Sequence, residues 1–363
     1  TFITAATGSN IVLDSSGNAF SNSVEMRADA GGEDFGNITF VDSAGIDFAT
    51  SAGSNGDLYI NSSTDGTVGG NLSVTATTGN ITDTVAVVTT GSSTSSFTTS
   101  ATNGTIDLST PASLAGAVTI NTTGASGNAT IDNGTTALII AASSIGGNLT
   151  VTSGAAAGIT DTGTVTVAGN LVATTDLNSG VINLGTMAVT GTMDLTSHGS
   201  GNVTIDNDTS DIVLIASEIG GNLTLTSGAT AGITDTGTVT VAGNLVATTD
   251  AGNGVINLGT TTVTGTMDLT SHGSGNVTID NDTSDIVLIA SEIGGNLTVT
   301  SGAAAGITDT GTVTVAGNLV ATTDLNSGVI NLGTMAVTGT MDLTSHGSGN
   351  VTIDNDTSDI VLI

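Results

Sequence analysis

The chain has no cysteine, and among its 363 residues it has a single basic side chain other than histidine, Arg27. Without cysteine there is neither a disulfide framework nor thiolate chemistry. One Arg or Lys stands against 32 Asp and Glu, a formal net charge of −31, so no basic patch exists to grip nucleic acid or an anionic bilayer through phosphate contacts. Proline occurs once, at Pro111, and aromatic residues make up 2%. The first of these excludes collagen, and the second leaves a narrow aliphatic core as the only core the chain can build. The longest uninterrupted aliphatic run, Ala137 to Ala142, falls far short of the roughly 20 residues of a membrane-spanning helix.

What is present is repetition. Gly221-Asn222-Leu223-Thr224-Leu225-Thr226 alternates polar and apolar residues. Gly232-Ile233-Thr234-Asp235-Thr236 and Gly237-Thr238-Val239-Thr240-Val241 follow, and the pattern that began at Gly221 restarts at Gly243-Asn244-Leu245, a 22-residue period. Alternation with period 2 places Leu223, Leu225, Val239 and Val241 on one face of short strands, with threonines on the other. Each coil therefore reads as three strands joined by glycine-rich corners, one rung of a solenoid. The fold class this predicts is all-β, a right-handed parallel β-helix with three strands per coil.

A longer period overlies the short one. Ala129-Thr130-Ile131-Asp132-Asn133 returns as Val203-Thr204-Ile205-Asp206-Asn207, then at Val277 and at Val351, a constant 74-residue step. Each unit reads as two 22-residue coils and one 30-residue coil, the extra residues falling in polar stretches such as Ser271-His272-Gly273-Ser274-Gly275 and so expected to be loops. The expected organisation is one continuous solenoid: diverged coils over 1–68, transitional coils over 69–128, and repeats at 129–202, 203–276, 277–350 and 351–363. The units starting at Val203 and Val277 differ at seven positions, among them Ala251-Gly252-Asn253 against Leu325-Asn326-Ser327. Surfaces copied so closely argue against a single catalytic cleft. The chain starts at Thr1 and stops at Ile363 inside a motif that elsewhere continues Ala-Ser-Glu-Ile-Gly, so it reads as an excerpt of a longer protein.

Several constellations carry candidate chemistry. His198, His272 and His346 recur in Ser-His-Gly-Ser-Gly, but three stacked coils at about 4.8 Å each would hold successive histidines about 14 Å apart, too far to share an ion. Ser197 beside His198 lacks a third orienting group and an oxyanion site. Asp206, Asp208 and Asp211, repeated as Asp280, Asp282, Asp285 and as Asp354, Asp356, Asp359, offer the all-oxygen shell of a Ca²⁺ ion. The same Asp-Asn-Asp-Thr string is also ordinary turn chemistry, and Asp132-Asn133-Gly134-Thr135-Thr136-Ala137 in the first copy keeps one acid of three. The Asn-x-Thr matches at Asn148 and Asn222 sit at coil starts, where asparagines can stack as a hydrogen-bonded ladder or, in a suitable host, accept glycans. Thr-x-Thr patches such as Thr238-Val239-Thr240 resemble ice-binding arrays, yet threonine is the default outward residue of a strand.

The succession Asn18-Ala19-Phe20-Ser21-Asn22-Ser23-Val24, Asn37-Ile38-Thr39-Phe40-Val41-Asp42 and Gly70-Asn71-Leu72-Ser73-Val74-Thr75, followed by repeated Gly-Asn-Leu-Thr-Val-Thr and Gly-Ile-Thr-Asp-Thr-Gly, resembles the filamentous-haemagglutinin-like surface proteins of bacteria, giant β-strand-repeat proteins. The resemblance implies a right-handed parallel β-helix exported to the cell surface as an adhesin or structural fibre. The expected function is that of a non-catalytic repeat region in an extracellular cell-surface filament or adhesin stalk. Its expected partners are further repeats or identical subunits, head-to-tail or side by side, and a host-cell, neighbouring-cell or glycan surface, with no nucleic acid and no membrane insertion. Two rival readings are a glycan-active β-helix enzyme or tailspike-like polysaccharide binder, and a calcium-dependent sheath or S-layer-like fibre subunit. Against a polysaccharide lyase stands the want of Arg or Lys outside Arg27, and against a glycosidase the want of aromatic platforms in the repeats.

Overall fold

The structure, a computed structural model, describes residues 1–363 except 5, 7, 21–23, 29–34, 50–56, 62–66, 177–178, 229, 231, 251, 325–327 and 357–358. Ala251 and the variable stretch 325–327 thus lie outside the described residues, as do Ser21, Asn22 and Ser23. The rest forms a parallel β-solenoid, consistent with a right-handed β-helix of coils about 22 residues long, with no helix among the described residues. The chain divides into two compact units, Thr1–Gly191 and Thr192–Ile363.

In the second unit, every coil wraps two facing sheets. One 22-residue coil runs through a five-residue strand on one sheet, Leu223–Ser227, then two short strands on the other, Gly232–Asp235 and Val239–Val241, and returns to the first at Leu245–Thr249. Buried and half-exposed residues alternate along Leu223–Ser227 and Leu245–Thr249, so Leu223, Leu225, Leu245 and Ala247 fill the space between sheets at 0–1% exposure. Parallel pairing aligns Leu223 with Leu245 and Leu245 with Met267. Each apolar side chain therefore packs on its counterpart one coil away, which is what a tube without aromatics needs.

The 30-residue stretch is where the structure departs from the expected loops. Every pairing in this unit joins strands one ordinary coil apart, from the short step of Val203 with Leu223 to the longer step of Gly232 with Val255. The added residues supply a strand of their own, Val203–Asp206 or Val277–Asp280, inserted between a long strand and the next pair of short ones. This strand adds half a coil. From Val203 the chain crosses between sheets seven times, at Ile212, Leu223, Gly232, Leu245, Val255, Thr266 and Val277. One repeat is therefore seven half-coils, or three and a half turns, so Val277–Asp280 lies in the sheet opposite to Val203–Asp206, and Val351–Asn355 lies back in the first. After each insertion the long strands change sheet: Leu223, Leu245 and Met267 stack on one, Leu297, Leu319 and Met341 on the other.

The first unit shows the same exchange. Long strands Leu72–Ala76, Ser95–Thr102 and Ala117–Thr123 stack in one sheet. After Ala129–Asp132 the long strands Leu149–Ser153 and Leu171–Thr175 stack in the other, and the paired short strands Leu138–Ile140 and Ser143–Ile145 take over beneath Ala117–Thr123. Among the aromatics of residues 1–68, Phe2 meets Phe20 edge-on at 6.4 Å. Phe35, Phe40 and Phe48 are buried, Phe20 stacks on Phe40 at 5.4 Å, and Phe48 meets Phe97 edge-on at 6.3 Å. Pro111 lies outside any strand, at an exposed position, where its missing N–H costs no ladder bond.

The Gly-Asn-Leu corners explain themselves at atomic distance. The side-chain oxygen of Asn222 accepts the backbone N–H of Asn244 at 2.9 Å, and that of Asn244 accepts the N–H of Thr266 at 2.9 Å. In the next repeat Asn276, Asn296 and Asn318 do the same for Asn296, Asn318 and Thr340, and in the first unit Asn128 and Asn148 serve Asn148 and Asn170. The expected asparagine ladder is present, with the backbone of the next coil as the partner and not the neighbouring amide. It leaves no room in front of each asparagine: a Cβ on Gly243 would lie 2.3 Å from Asn222 Oδ1. Gly259 has nothing within 4 Å of such a Cβ. Gly243→Ala is therefore expected to destabilise the protein by about 1–3 kcal/mol and Gly259→Ala by less than about 0.5 kcal/mol. Urea unfolding midpoints of the two variants check this.

Candidate functional site

The acidic turns begin with a buried asparagine. Asn281 is fully enclosed. Its Oδ1 accepts the backbone N–H of Val263 at 2.7 Å, and its Nδ2 donates to the Val263 carbonyl at 3.0 Å and to the Asp285 carbonyl at 2.6 Å. The side-chain amide thus takes the place of a strand above Val263, closing the stack of short strands at the point where the long and short strands exchange sheets. Asn133 with Leu114 and Ala137, and Asn355 with Val337, repeat this arrangement, and Asn207 donates to the Asp211 carbonyl at 2.6 Å.

The flanking acids are bound up in the same turn. Asp280 Oδ1 accepts the N–H of Asp282 at 3.1 Å, Asp206 Oδ1 that of Asp208 at 3.0 Å, and Asp132 Oδ1 that of Gly134 at 2.9 Å. Asp208, Asp282 and Gly134 have φ of 29°, 42° and 52°, a left-handed conformation that favours glycine and tolerates Asp. The first copy has glycine there because the backbone asks for it. For Asp211, Asp285 and Asp359 it is the main-chain carbonyl that the buried asparagine engages. Among the described residues no three His, Asp or Glu side chains come together in a group able to hold a metal ion, and Thr357 and Ser358 of the third turn lie outside those residues.

The carboxylate of the Gly-Ile-Thr-Asp motif has a different task. Asp235 Oδ1 accepts the N–H of Gly259 at 2.9 Å, and its Oδ2 accepts the N–H and hydroxyl of Thr260 at 2.9 and 2.7 Å. Asp161 with Gly185 and Thr186, and Asp309 with Gly333 and Thr334, do likewise. Each of these acids holds a corner of the next coil, which sequence reasoning missed; the constant step from the Asp to a Gly-Thr pair one coil on was the available signal.

Ser197 is buried, and its hydroxyl donates to the Gly201 carbonyl at 2.7 Å and accepts the N–H of Gly220 at 3.2 Å. Ser271 has the same partners in Gly275 and Gly294. His272 Nδ1 lies 2.5 Å from the Thr249 carbonyl and His346 Nδ1 2.5 Å from that of Thr323, contacts that place the proton on Nδ1. With three and a half coils between them, successive histidines lie about 17 Å apart along the axis, and on opposite edges, not about 14 Å apart on one.

A pocket of about 180 Å³ beside one turn is lined by Thr238, the run 259–262, Asp280 and Asp282. It occurs where Thr261 replaces the methionine found at Met187 and Met335, and the Thr261 hydroxyl donates to the Asp280 carbonyl at 2.8 Å. In the first unit, Asp83 is pushed up to about 6, chiefly by burial and further by Asp107 and Asp47, against the opposing hydrogen bonds of Thr110. Its Oδ2 is buried without a hydrogen-bond partner. Burial also raises Asp194 and Asp268 above the usual carboxylate range.

Three stretches of the chain, 126–180, 200–258 and 274–334, match a family described as repeats of unknown function (DUF5649). The matches begin at 126, 200 and 274, each one 74-residue repeat after the last. No curated protein and no solved structure matches the chain.

Asn281→Ala strands the N–H and carbonyl of Val263 and should cost about 3 kcal/mol, whereas Asp282→Gly should be neutral or stabilising by about 0.5 kcal/mol, both read from thermal unfolding with and without Ca²⁺. The raised Asp83 favours the protonated folded state, so its contribution is present below about pH 4 and lost as pH rises through about 6. Asp83→Asn is expected to raise the melting temperature at pH 7 and to flatten its fall between these two values. The matched stretches together cover nearly half of the chain, which over those residues is similar to the repeats described as DUF5649.

Proposed function

We propose that this chain is a non-catalytic structural repeat region, part of an extracellular cell-surface filament or adhesin stalk of the filamentous-haemagglutinin-like kind. The observation that supports the reading most directly is the fate of the residues capable of chemistry. Ser197, Asp206, Asp235, Asn281 and His272 are each engaged by the backbone of the same or a neighbouring coil. Groups held this way maintain a repeating scaffold and offer no paired acid and base converging on one cleft.

The charge fits repeats that stay soluble and separate from one another. A 74-residue repeat carries seven acids, Asp206, Asp208, Asp211, Glu218, Asp235, Asp250 and Asp268, on about 17 Å of axis, or about one charge per 2.4 Å. Such a density recruits counter-ions. Its partners on this reading are further repeats or identical subunits and a cell or glycan surface. Electron microscopy of the native surface with an antibody to the repeats tests the assignment: labelled hairs or fibres are expected, and label confined to the cytoplasm would overturn it. Incubation with acidic polysaccharides should release no sugar.

Counter-ion recruitment has its own readout. The melting temperature should rise as ionic strength goes from about 0.01 M to about 0.15 M, and Mg²⁺ should act as strongly as Ca²⁺. A response to Ca²⁺ alone would instead indicate coordination at the acidic turns.

A further inference from the structure

The half-coil insertion has a consequence for what the repeats present to their surroundings. Equivalent residues of successive repeats lie on opposite sheets: Thr226 projects from the sheet of Leu223 and Leu245, and Thr300, its counterpart in the next repeat, from the sheet of Leu297 and Leu319. Both are half-exposed, between buried neighbours. The turns alternate in the same way. Asp206–Asp211 carries the chain from the first of these sheets to the other, and Asp280–Asp285 carries it back.

From this we infer that the repeat array is a two-sided display, in which each copy shows its surface in the direction opposite to the copy before it. Two repeats, making seven coils, bring the same residue back to the same side about 34 Å further along. A partner lying against one face therefore meets every second copy, and a second partner on the opposite face meets the others. Loss of a single 74-residue repeat reverses the direction of everything after it. Loss of two leaves the direction unchanged. The inference deepens the structural reading above but rests on strand pairing alone, whichever surface the protein occupies.

Spin labels decide it in the full chain, which has no cysteine of its own to interfere. Thr226→Cys is combined with Thr300→Cys in one variant and with Thr314→Cys in another. Thr314 lies in the same sheet as Thr226, four rungs away through Thr248, Thr270 and Glu292, or about 19 Å. Thr300 lies three and a half rungs away, about 17 Å along the axis, with the width of two sheets about 10 Å apart added. The Thr226/Thr300 pair is expected to give the longer distance in pulsed dipolar spectroscopy, although its labels are closer in sequence. Were the repeat a whole number of coils, Thr300 would sit three rungs above Thr226 on one face and its distance would be the shorter, which overturns the inference. Circular dichroism of both labelled variants, matched to the parent, confirms that the comparison is made on the same fold, and retention of that fold with the shorter Thr226/Thr300 distance would leave the scaffold reading intact while removing the two-sided one.

Discussion

Coil-to-coil spacing is the constraint on which the rest depends. Parallel strands stack about 4.8 Å apart, so every side chain lies beside its counterparts in the coils before and after. Inside, this makes columns of aliphatic residues such as Leu223, Leu245 and Met267 self-filling. Outside, it penalises rows of like charge, since two carboxylates at that distance repel by about 0.9 kcal/mol even in water. The outward columns of the second unit answer this by spacing their acids: Asp268 follows Thr224 and Val246, and Glu218 stands between Thr196 and Thr240. This spacing lowers the cost of stacking coils in a chain with a net charge of −31, although Asp47 and Asp57 stand in register in the first unit.

Corners obey the same rule. Where a strand ends, the next coil must pass one rung away with its N–H groups satisfied, although sheet pairing has stopped. Two kinds of side chain meet that need, one where the chain crosses between sheets and one between the two short strands of a sheet. Asn222 and Asn244 offer an amide oxygen to the coil above, while Asp235 offers two carboxylate oxygens to Gly259 and Thr260. Glycine recurs beside the asparagines because the accepting oxygen already fills the place of a Cβ. The motifs that make the sequence look like low complexity are therefore hydrogen-bonding parts of the corner, each tied to a rung spacing.

Much of this was legible in the sequence, and the exception is instructive. The 22-residue period, the strands and the asparagine corners follow from alternation and glycine placement. The half-coil did not, because inward and outward positions alternate in the same way on either sheet, so a strand carries no mark of which sheet it joins. Ser271-His272-Gly273-Ser274-Gly275 looked like slack, yet Ser271 and His272 are tied to neighbouring backbone. The acidic turn was read for its carboxylates when its informative residue was Asn281, buried among them and holding Val263 on both sides. Gly134 in the first copy pointed the same way, since a position that accepts Gly or Asp is asking for a left-handed backbone and not for a charge.

The buried asparagine also accounts for how the switch is made without leaving a wound in the sheet. When the long strands move across, the stack of short strands ends at Val263, and its last N–H and carbonyl would face a gap. A carboxamide is the side chain that supplies both a donor and an acceptor in the geometry of a peptide group. An aspartate there would present two acceptors to one N–H and repel the carbonyl, and an aliphatic residue would leave both unpaired. Asn281 spans the position with a third bond to Asp285, so the turn and the end of the sheet are stabilised together. The phase of the repeat is thus set by one amide and the strand before it, which is why copies that differ at several outward positions keep Val-Thr-Ile-Asp-Asn unchanged at Val203, Val277 and Val351.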